Sequence, residues 1–306
     1  MPHRQFRQSG LALVAAATVG MALKGIFARI VYQHGVSVDA LLIWRFLLAV
    51  PLFWIGAVLI NRGRSQTPLS RQQWGLCFLT GFLLFLSTWS DFNAIHLLGA
   101  SISRVLLYLF PALILLFQSI EQRQLPARRQ LAVVTIAWCG IALLLAPSLQ
   151  AGTINTPGVL FGLGAATAYA LFLWRSQGVM KQMGSVRFTQ VSNSITLFFM
   201  LLFLLPTTAI DDLTLSPPAF GWMLTLVIIS TVIPYFLMLE GIVRASAAEA
   251  GIMAMFGPAL TVVIAVMLFP DEHLLPLQWL GFALVLLGIG ALSMARPAGI
   301  RRTWNR

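Results

Sequence analysis

The fold is decided by two apolar stretches, RVLLYLFPALILLFQSI at residues 104–120 and IMAMFGPALTVVIAVML at residues 252–268. Each is close to the length of a helix that crosses a bilayer. Each also carries the same tripeptide, Pro111-Ala112-Leu113 in the first and Pro258-Ala259-Leu260 in the second, 147 positions apart. The pair predicts membrane-spanning helices and a sequence that repeats itself in its two halves.

The composition of the whole chain agrees with helices in lipid. Of 306 residues, 58% are hydrophobic and 9% are charged, and the mean hydropathy is +0.86. Soluble domains carry roughly 25% charged residues, so lipid must cover much of this surface. The net charge of +11 does not indicate nucleic-acid binding, because the basic residues lie between apolar runs. Cys77 and Cys139 lie within apolar runs and are predicted to be buried hydrophobes, and no metal or cofactor is expected.

Breaks rich in Pro, Gly and polar residues divide the chain into ten apolar runs. Backbone groups in lipid must pair internally, and these runs lack the alternation of a barrel, so each is predicted to be a helix. The predicted spans are 10–32, 39–60, 72–95, 101–120, 130–146, 157–178, 187–207, 218–240, 247–269 and 276–295. The predicted fold is therefore an all-α integral membrane protein with ten transmembrane helices.

The orientation follows from basic residues in short loops, which favour the cytoplasmic side. With a cytoplasmic N-terminus, the inner segments hold 15 of the 20 Lys and Arg residues, and the outer loops hold none. The inner set is Arg4, Arg7, Arg62, Arg64, Arg71, Arg123, Arg128, Arg129, Lys181, Arg187, Arg244, Arg296, Arg301, Arg302 and Arg306. Asp39, Asp211, Asp212, Asp271 and Glu272 lie on the outer side. Both termini are thus predicted to be cytoplasmic.

A second match supports the duplication. Ala16-Ala17-Thr18 recurs as Ala165-Ala166-Thr167 at an offset of 149, similar to the offset between the two prolines. Five spans per copy is an odd number, so the second copy is predicted to be inverted in the membrane, as in many secondary transporters. The predicted domains are one repeat at 10–146 and a second at 157–295, with cytoplasmic tails at 1–9 and 296–306.

Several motifs resemble the drug/metabolite transporter superfamily, and within it the ten-helix EamA-type exporters. Pro111 and Pro258 each follow a run of small residues, Ala100-Ser101-Ile102-Ser103 and Ala245-Ser246-Ala247-Ala248. Asp271-Glu272 follows the second proline helix, and Gly281, Gly288 and Gly290 lie in the last span. The first half departs from the pattern, because Glu121 lies nearer its proline than Glu272 does to Pro258.

The resemblance implies a function. It implies export of amino acids, related metabolites or drugs across the bacterial inner (plasma) membrane by alternating access, and the chain is most similar to bacterial exporters of aromatic amino acids. A Walker A motif is absent from the sequence, so direct use of ATP is not expected. The expected partners are a small-molecule substrate and the lipid bilayer, with no nucleic acid, and the oligomeric state stays open.

Charged residues inside the spans are candidate site residues, because a charge near the bilayer centre costs roughly 2.5–3.5 kcal/mol. In the first copy, five charges fall in the outer part of their helices and are predicted to form an outer polar gate: Lys24, Arg29, Arg45, Asp91 and Arg104. All of them except Arg29 lie deeper in their spans. We hypothesise that Arg45 or Arg104 pairs with Asp91 or binds a substrate carboxylate.

A second charged set lies near the inner ends of the second copy. Arg175, Glu240 and Glu249 are predicted to form an inner gate. The alternative is that Arg29, Arg175 and Glu240 reach lipid headgroups or water along the helix ends.

Aromatic and proline residues complete the predicted transport path. The aromatic candidates for stacking on an organic substrate are Trp44, Trp89, Tyr108, Tyr169, Trp174 and Tyr235. Helix packing is the alternative role for each of them. His96, near an outer helix end, is a candidate for a proton-linked step. Pro111 and Pro258 are predicted to kink their helices.

A channel-like facilitator and an intramembrane hydrolase are the alternatives to a transporter. A channel-like facilitator is compatible with an inverted repeat, whereas flux that saturates would favour a carrier. An intramembrane hydrolase built on Ser101 lacks a histidine with an evident partner and any HExxH motif. No catalytic residue is therefore predicted.

Overall fold

A computed structural model describes residues 2–60, 68–123, 128–244, 253–254 and 256–294. Throughout these residues the regular structure is helical, without a strand. The first copy contains α1 (Pro2–Ala22), α2 (Lys24–Gln33), α3 (Val38–Ile60), α4 (Arg71–Leu107), α5 (Phe110–Gln122) and α6 (Arg128–Gln150). The second contains α7 (Thr156–Met183), α8 (Ser185–Phe203), α9 (Pro217–Val227), α10 (Ile233–Arg244), α11 (Phe256–Leu268) and α12 (Pro276–Met294).

Six helical segments are long and apolar enough to cross a membrane. They are Gln8–Gln33, Val38–Leu59, Arg71–Leu107, Thr156–Met183, Ser185–Phe203 and Pro217–Arg244. Shorter apolar helices occupy Phe110–Glu121, Val134–Gln150, Phe256–Leu268 and Pro276–Gly288. The chain is thus a multi-pass, all-helical membrane protein, and the count of ten crossings stays a prediction.

Breaks within the spans lie close to the candidate residues. A turn at Leu23 separates α1 from α2, and a π-helical turn at Ile228–Val232 joins α9 to α10. The expected loop between spans 72–95 and 101–120 is instead a kink inside α4, where Gly99 has a φ of 80°. A positive φ of this kind favours glycine, which has no Cβ to clash. One helix therefore carries both Asp91 and Arg104 across the kink.

The first proline of the repeated tripeptide lies at a helix start. The predicted span 101–120 is interrupted at Tyr108 and Leu109, and Pro111 occupies the first turn of α5. Proline is favoured there, because the first N–H groups of a helix have no partner inside it. Pro258 lies within α11, and Met253 and Ala254 before it are also helical. The expected mid-helix kink at Pro111 is thus a complete break just before the proline.

The most extensive packing joins helices of different copies. α4 packs on α7, and in the corresponding arrangement α1 and α2 pack on α10 and α9. α3 packs on α8, and α6 packs on α12, so these two pairs join equivalent helices of the two copies. Contacts of α1 with α11 mirror those of α5 with α7. The helix pairing therefore keeps its pattern when the two copies are exchanged.

Glycines allow these helices to approach closely. A Cβ added to Gly281 on α12 would lie 2.4 Å from the carbonyl oxygen of Gly140 on α6. A Cβ added to Gly158 or Gly162 on α7 would lie 2.7 Å or 2.6 Å from a leucine side chain of α4. Small residues at such contacts let backbones meet where lipid provides no hydrophobic driving force. Cys139, expected to be buried, instead lies on the exposed face of α6.

Candidate functional site

The central feature of the bundle is a cavity of about 810 Å³. Its lining comes from both copies, with Lys24, Arg45, Asp91 and Arg104 from the first and Tyr169 and Tyr235 among those from the second. Other lining residues include Thr18, Ser87, Thr88, Phe110, Pro111, Gln118, Phe172, Thr189, Asn193, Ser230, Thr231, Gly257 and Thr261. Gln118 lies near the end of α5, and Thr189 lies near the start of α8. The cavity therefore extends toward the end of the bundle where α5 ends and α8 begins.

Asp91 is the centre of a buried charge cluster in the cavity wall. One carboxylate oxygen accepts a hydrogen bond from Lys24 Nζ at 3.0 Å, and the other pairs with a terminal nitrogen of Arg104. The Asp91 side chain is 3% exposed. Burial of an unpaired carboxylate would be costly, so the two cations stabilise it. The structure thus contains the Arg104–Asp91 pair named by the sequence hypothesis, with Lys24 added.

Arg45 lines the same cavity without a carboxylate partner in the described part of the chain. Its Nε lies 3.4 Å from Thr231 Oγ1, and its Nη1 is buried with no hydrogen-bond partner there. The guanidinium lies 5.0 Å from the ring centroid of Phe92 and 5.3 Å from that of Phe46. These rings hold the side chain in place through cation–π contacts.

Three of the predicted aromatic residues line the cavity, namely Tyr108, Tyr169 and Tyr235. The Tyr169 ring contacts that of Phe110 edge to face, with centroids 5.0 Å apart. The Tyr235 hydroxyl hydrogen-bonds with the Thr189 hydroxyl and donates to the Ser185 carbonyl at 3.2 Å. Their rings give the cavity an apolar, aromatic wall next to its charged one.

The three tryptophans among the predicted aromatic residues are not in the described lining of this cavity, and each has packing contacts elsewhere. Trp44 donates to the Leu213 carbonyl at 2.9 Å, and Trp89 donates to Asp39 at 3.1 Å. Trp174 stacks on Phe117 with ring centroids 6.0 Å apart. Their environment matches the packing alternative given for the aromatic set.

A second group of polar contacts, here called the Glu272 clasp, joins the two copies beyond the charge cluster. The Glu272 carboxylate accepts hydrogen bonds from the backbone N–H groups of Ala100 and Ser101, both at 2.7 Å, and from the Ser101 hydroxyl. Arg29 pairs with Glu272 and with Asp271. The N–H groups become free because α4 restarts after the kink at Gly99, and a carboxylate is the favoured partner there.

The clasp separates the large cavity from a smaller one of about 400 Å³. The smaller cavity is lined by Arg29, His96, Gly99 and Glu272 among others, and it shares no lining residue with the larger one. A cluster of buried apolar residues lies next to the clasp, here called the apolar plug: Ile26, Ala100, Ala265 and Phe269. His96 is exposed in the smaller cavity, where its ring contacts Tyr32 edge to face.

The predicted inner-gate residues are not brought together in the described structure. Arg175 is exposed, with its guanidinium 4.2 Å from the Trp174 ring centroid. Glu240 is half exposed and pairs with Arg244 one helical turn away, at 2.8 Å. Glu249 lies outside the described residues.

Sequence reasoning missed the clasp. From the sequence alone, Glu272 is an outer loop charge, and contact with lipid headgroups or water is one of the alternatives for Arg29. A signal was present in the sequence, because Gly99 directly precedes the small, polar run Ala100–Ser103, which is a typical helix restart. No metal-binding group of three or more His, Cys, Asp or Glu residues occurs among the described residues.

A bundle of apolar helices around a cavity with charged and aromatic walls, drawn from two copies of one unit, defines a multi-pass membrane protein of the solute-transporter type. The chain belongs to the EamA-like transporter family, whose model matches residues 8–146 and again residues 156–294. This confirms the resemblance to that family and to transporters rather than enzymes.

Curated relatives carry transporter names without a substrate. The chain is 30% identical to "Uncharacterized transporter YcbK" of Bacillus subtilis (strain 168) over 278 residues, which is 89% of each protein. It is 29% identical to "Uncharacterized transporter YwfM" of the same strain over 144 residues, 46% of this chain and 47% of that one. A crystal structure with 18% identity superposes with a TM-score of 0.58 and covers 94% of this chain and 98% of its own, which shows the fold alone.

Proposed function

We propose that this protein is a secondary transporter that exports amino acids and related small metabolites across the bacterial plasma membrane by alternating access. The observation that carries the proposal is the cavity between the two copies, which the Glu272 clasp and the apolar plug separate from a second cavity. A carrier needs such a barrier on one side of its site, whereas a channel-like facilitator needs a continuous path.

The barrier is built to open between the copies. Arg29 and Ala100 belong to the first copy, and Glu272 and Phe269 belong to the second. A relative movement of the copies would therefore break the clasp while leaving each helix intact. The sequence-based orientation puts the clasp at the outer surface, so the large cavity would face the cytoplasm. An exporter in this state would receive its substrate from inside the cell.

The experiment locks the clasp end and measures exchange in proteoliposomes. A Cβ added to Gly25 would lie 3.4 Å from Ala100 Cβ, close to the usual 3.5–4.5 Å of a disulfide. The test variant carries Gly25→Cys and Ala100→Cys in a background where Cys77 and Cys139 are replaced by serine. It is reconstituted into proteoliposomes that are loaded with an amino-acid mixture. We expect saturable counterflow under reducing conditions, loss of counterflow on oxidation, and recovery on reduction.

The matched control carries Gly25→Cys alone in the same background. Oxidation should leave its counterflow unchanged, because no second thiol is within reach. Counterflow that survives the disulfide would refute alternating access at this end. Electrical conductance that does not saturate would instead favour the channel-like alternative.

A further inference from the structure

The charges of the large cavity are unbalanced. Among the described residues that line it, three are cationic, Lys24, Arg45 and Arg104, and one is anionic, Asp91. The formal charge of this wall is therefore +2. Buried charge of one sign in a dry or partly dry cavity needs a partner, and a solute can supply it.

The single carboxylate of that wall, Asp91, is already paired with two cations. Both oxygens of Asp91 have cationic partners, Lys24 at 3.0 Å on one and Arg104 on the other. A substrate ammonium group that approached Asp91 would have to share its single negative charge with these two cations. An ammonium group that stayed beside the cluster would add a further positive charge to it.

Two guanidinium groups in this wall have a buried nitrogen without a hydrogen-bond partner in the described chain, Arg45 at Nη1 and Arg104 at Nε, and only Arg45 has no carboxylate partner there. Arg45 is 9% exposed, its Nη1 has no partner in the described chain, and its Nε is 3.4 Å from its nearest acceptor, Thr231. A guanidinium is always protonated and presents a planar fork that matches a carboxylate. The Nη1 group of Arg45 therefore leaves a hydrogen-bond donor in this wall that a carboxylate entering the cavity could use.

The aromatic part of the lining suits an apolar body. The rings of Tyr108, Phe110, Tyr169 and Phe172 line the cavity, and the volume of about 810 Å³ is large enough for an aromatic solute. Neutral hydroxyl and amide groups such as Thr88 and Asn193 also line it. They can hydrogen-bond an uncharged amide or hydroxyl of a substrate without adding charge.

We propose that the cavity selects organic anions, with a carboxylate on Arg45 and an apolar or aromatic body, over zwitterionic amino acids that carry a free ammonium group. This inference rests on the secondary transport in the proposed function and places the preferred substrates among the related metabolites, ahead of the free amino acids. An amino acid whose nitrogen is acylated, or a carboxylate without an amino group, fits the charge of the wall. A free amino acid leaves its ammonium group without a carboxylate partner.

The experiment compares four probes of similar shape: N-acetyl-L-phenylalanine, phenylacetate, L-phenylalanine and phenethylamine. Counterflow into proteoliposomes is measured for each, together with ligand-induced thermal stabilisation of the purified protein in detergent. We expect the two anions to be taken up at least about tenfold more efficiently than L-phenylalanine, which corresponds to one lost charge-assisted contact. We expect no uptake of phenethylamine.

Arg45→Gln tests the residue, and Arg71→Gln is the matched control, because Arg71 is exposed at the start of α4 and is not among the lining residues described for this cavity. Arg45→Gln should lose at least about tenfold of the anion uptake, and the preference for anions over L-phenylalanine should also be lost. Arg71→Gln should keep both. Retention of the anion preference in Arg45→Gln would overturn the role of Arg45.

The outcomes separate the two proposals. Uptake of L-phenylalanine equal to or better than that of the anions would overturn the anion selectivity and leave a transporter of amino acids standing. Neither stabilisation nor uptake with any of the four probes would also overturn the anion selectivity, and the counterflow assay with the amino-acid mixture would then decide the transporter proposal separately. Stabilisation and uptake by the anions alone would support both.

Discussion

Glu272→Gln is the perturbation that tests the clasp most directly. The substitution keeps the shape of the side chain but removes the charge that pairs with Arg29. The amide retains one oxygen, so it can accept from only one of the two backbone N–H groups, those of Ala100 and Ser101, that the carboxylate binds at 2.7 Å. Its NH₂ group would then face the other N–H.

The size of the effect follows from these contacts. Hydrogen bonds to a charged group contribute about 1.5–3 kcal/mol each, and two of them are lost or reversed. A net weakening of about 3 kcal/mol is expected, since part of the loss is recovered by water when the clasp opens. This free energy corresponds to roughly a 100-fold rise in the population with an open clasp.

The assay is the labelling rate of a cysteine beneath the clasp by a membrane-impermeant maleimide. Gly25→Cys is suitable, because a Cβ there has ordinary contacts, 3.4 Å from Ala100 and 3.9 Å from Arg104. We expect Glu272→Gln to raise its labelling rate in a background without Cys77 and Cys139. Glu240→Gln is the control, since it removes a half-exposed carboxylate that pairs with Arg244. Equal labelling in the two variants would refute the reasoning.

Two further predictions concern stability. Asp91→Asn leaves the buried Arg104 and the partly buried Lys24 without their shared carboxylate. We expect the free energy of unfolding, measured by chemical unfolding in mild detergent, to fall by about 3–5 kcal/mol. An unchanged free energy of unfolding would mean that the cluster does not depend on Asp91. Gly140→Leu forces α6 and α12 apart, because a Cβ at this position would lie 2.6 Å from the Gly281 carbonyl oxygen. We expect a loss of about 1–3 kcal/mol from it. Gly75→Leu, with nothing within 4 Å of its Cβ, should keep the wild-type melting temperature, and equal melting temperatures for the two variants would contradict the packing argument.

The helical membrane fold and the two-copy organisation were predictable, because both follow from patterns along the chain. Apolar runs of membrane length need no tertiary information, and the matching Pro111 and Pro258 regions reveal the duplication. The deep charges Lys24, Asp91 and Arg104 were also identifiable, since each would be costly in lipid without a partner. The structure brings these three into contact.

The clasp was not predictable in the same way, because its partners lie far apart in the sequence. Glu272 reaches backbone N–H groups 171 and 172 positions earlier, and these groups are free only because α4 bends at Gly99. The contacts of the tryptophan side chains also depend on residues far away in the sequence. Trp44 and Trp89 are amphipathic, and their N–H groups are satisfied by Leu213 and Asp39 rather than by the cavity.

The symmetric pairing of the helices contrasts with the placement of charge. At the offset of 149, the position of Lys24 corresponds to Leu173, and at the offset of 147, that of Arg104 corresponds to Gly251. The second copy thus lacks both cations while keeping the scaffold. A solute held by the charged wall would remain attached to one copy throughout a cycle, and the other copy would move past it. The two copies would then have different roles: the first would bind the ligand, and the second would move to open and close access to it.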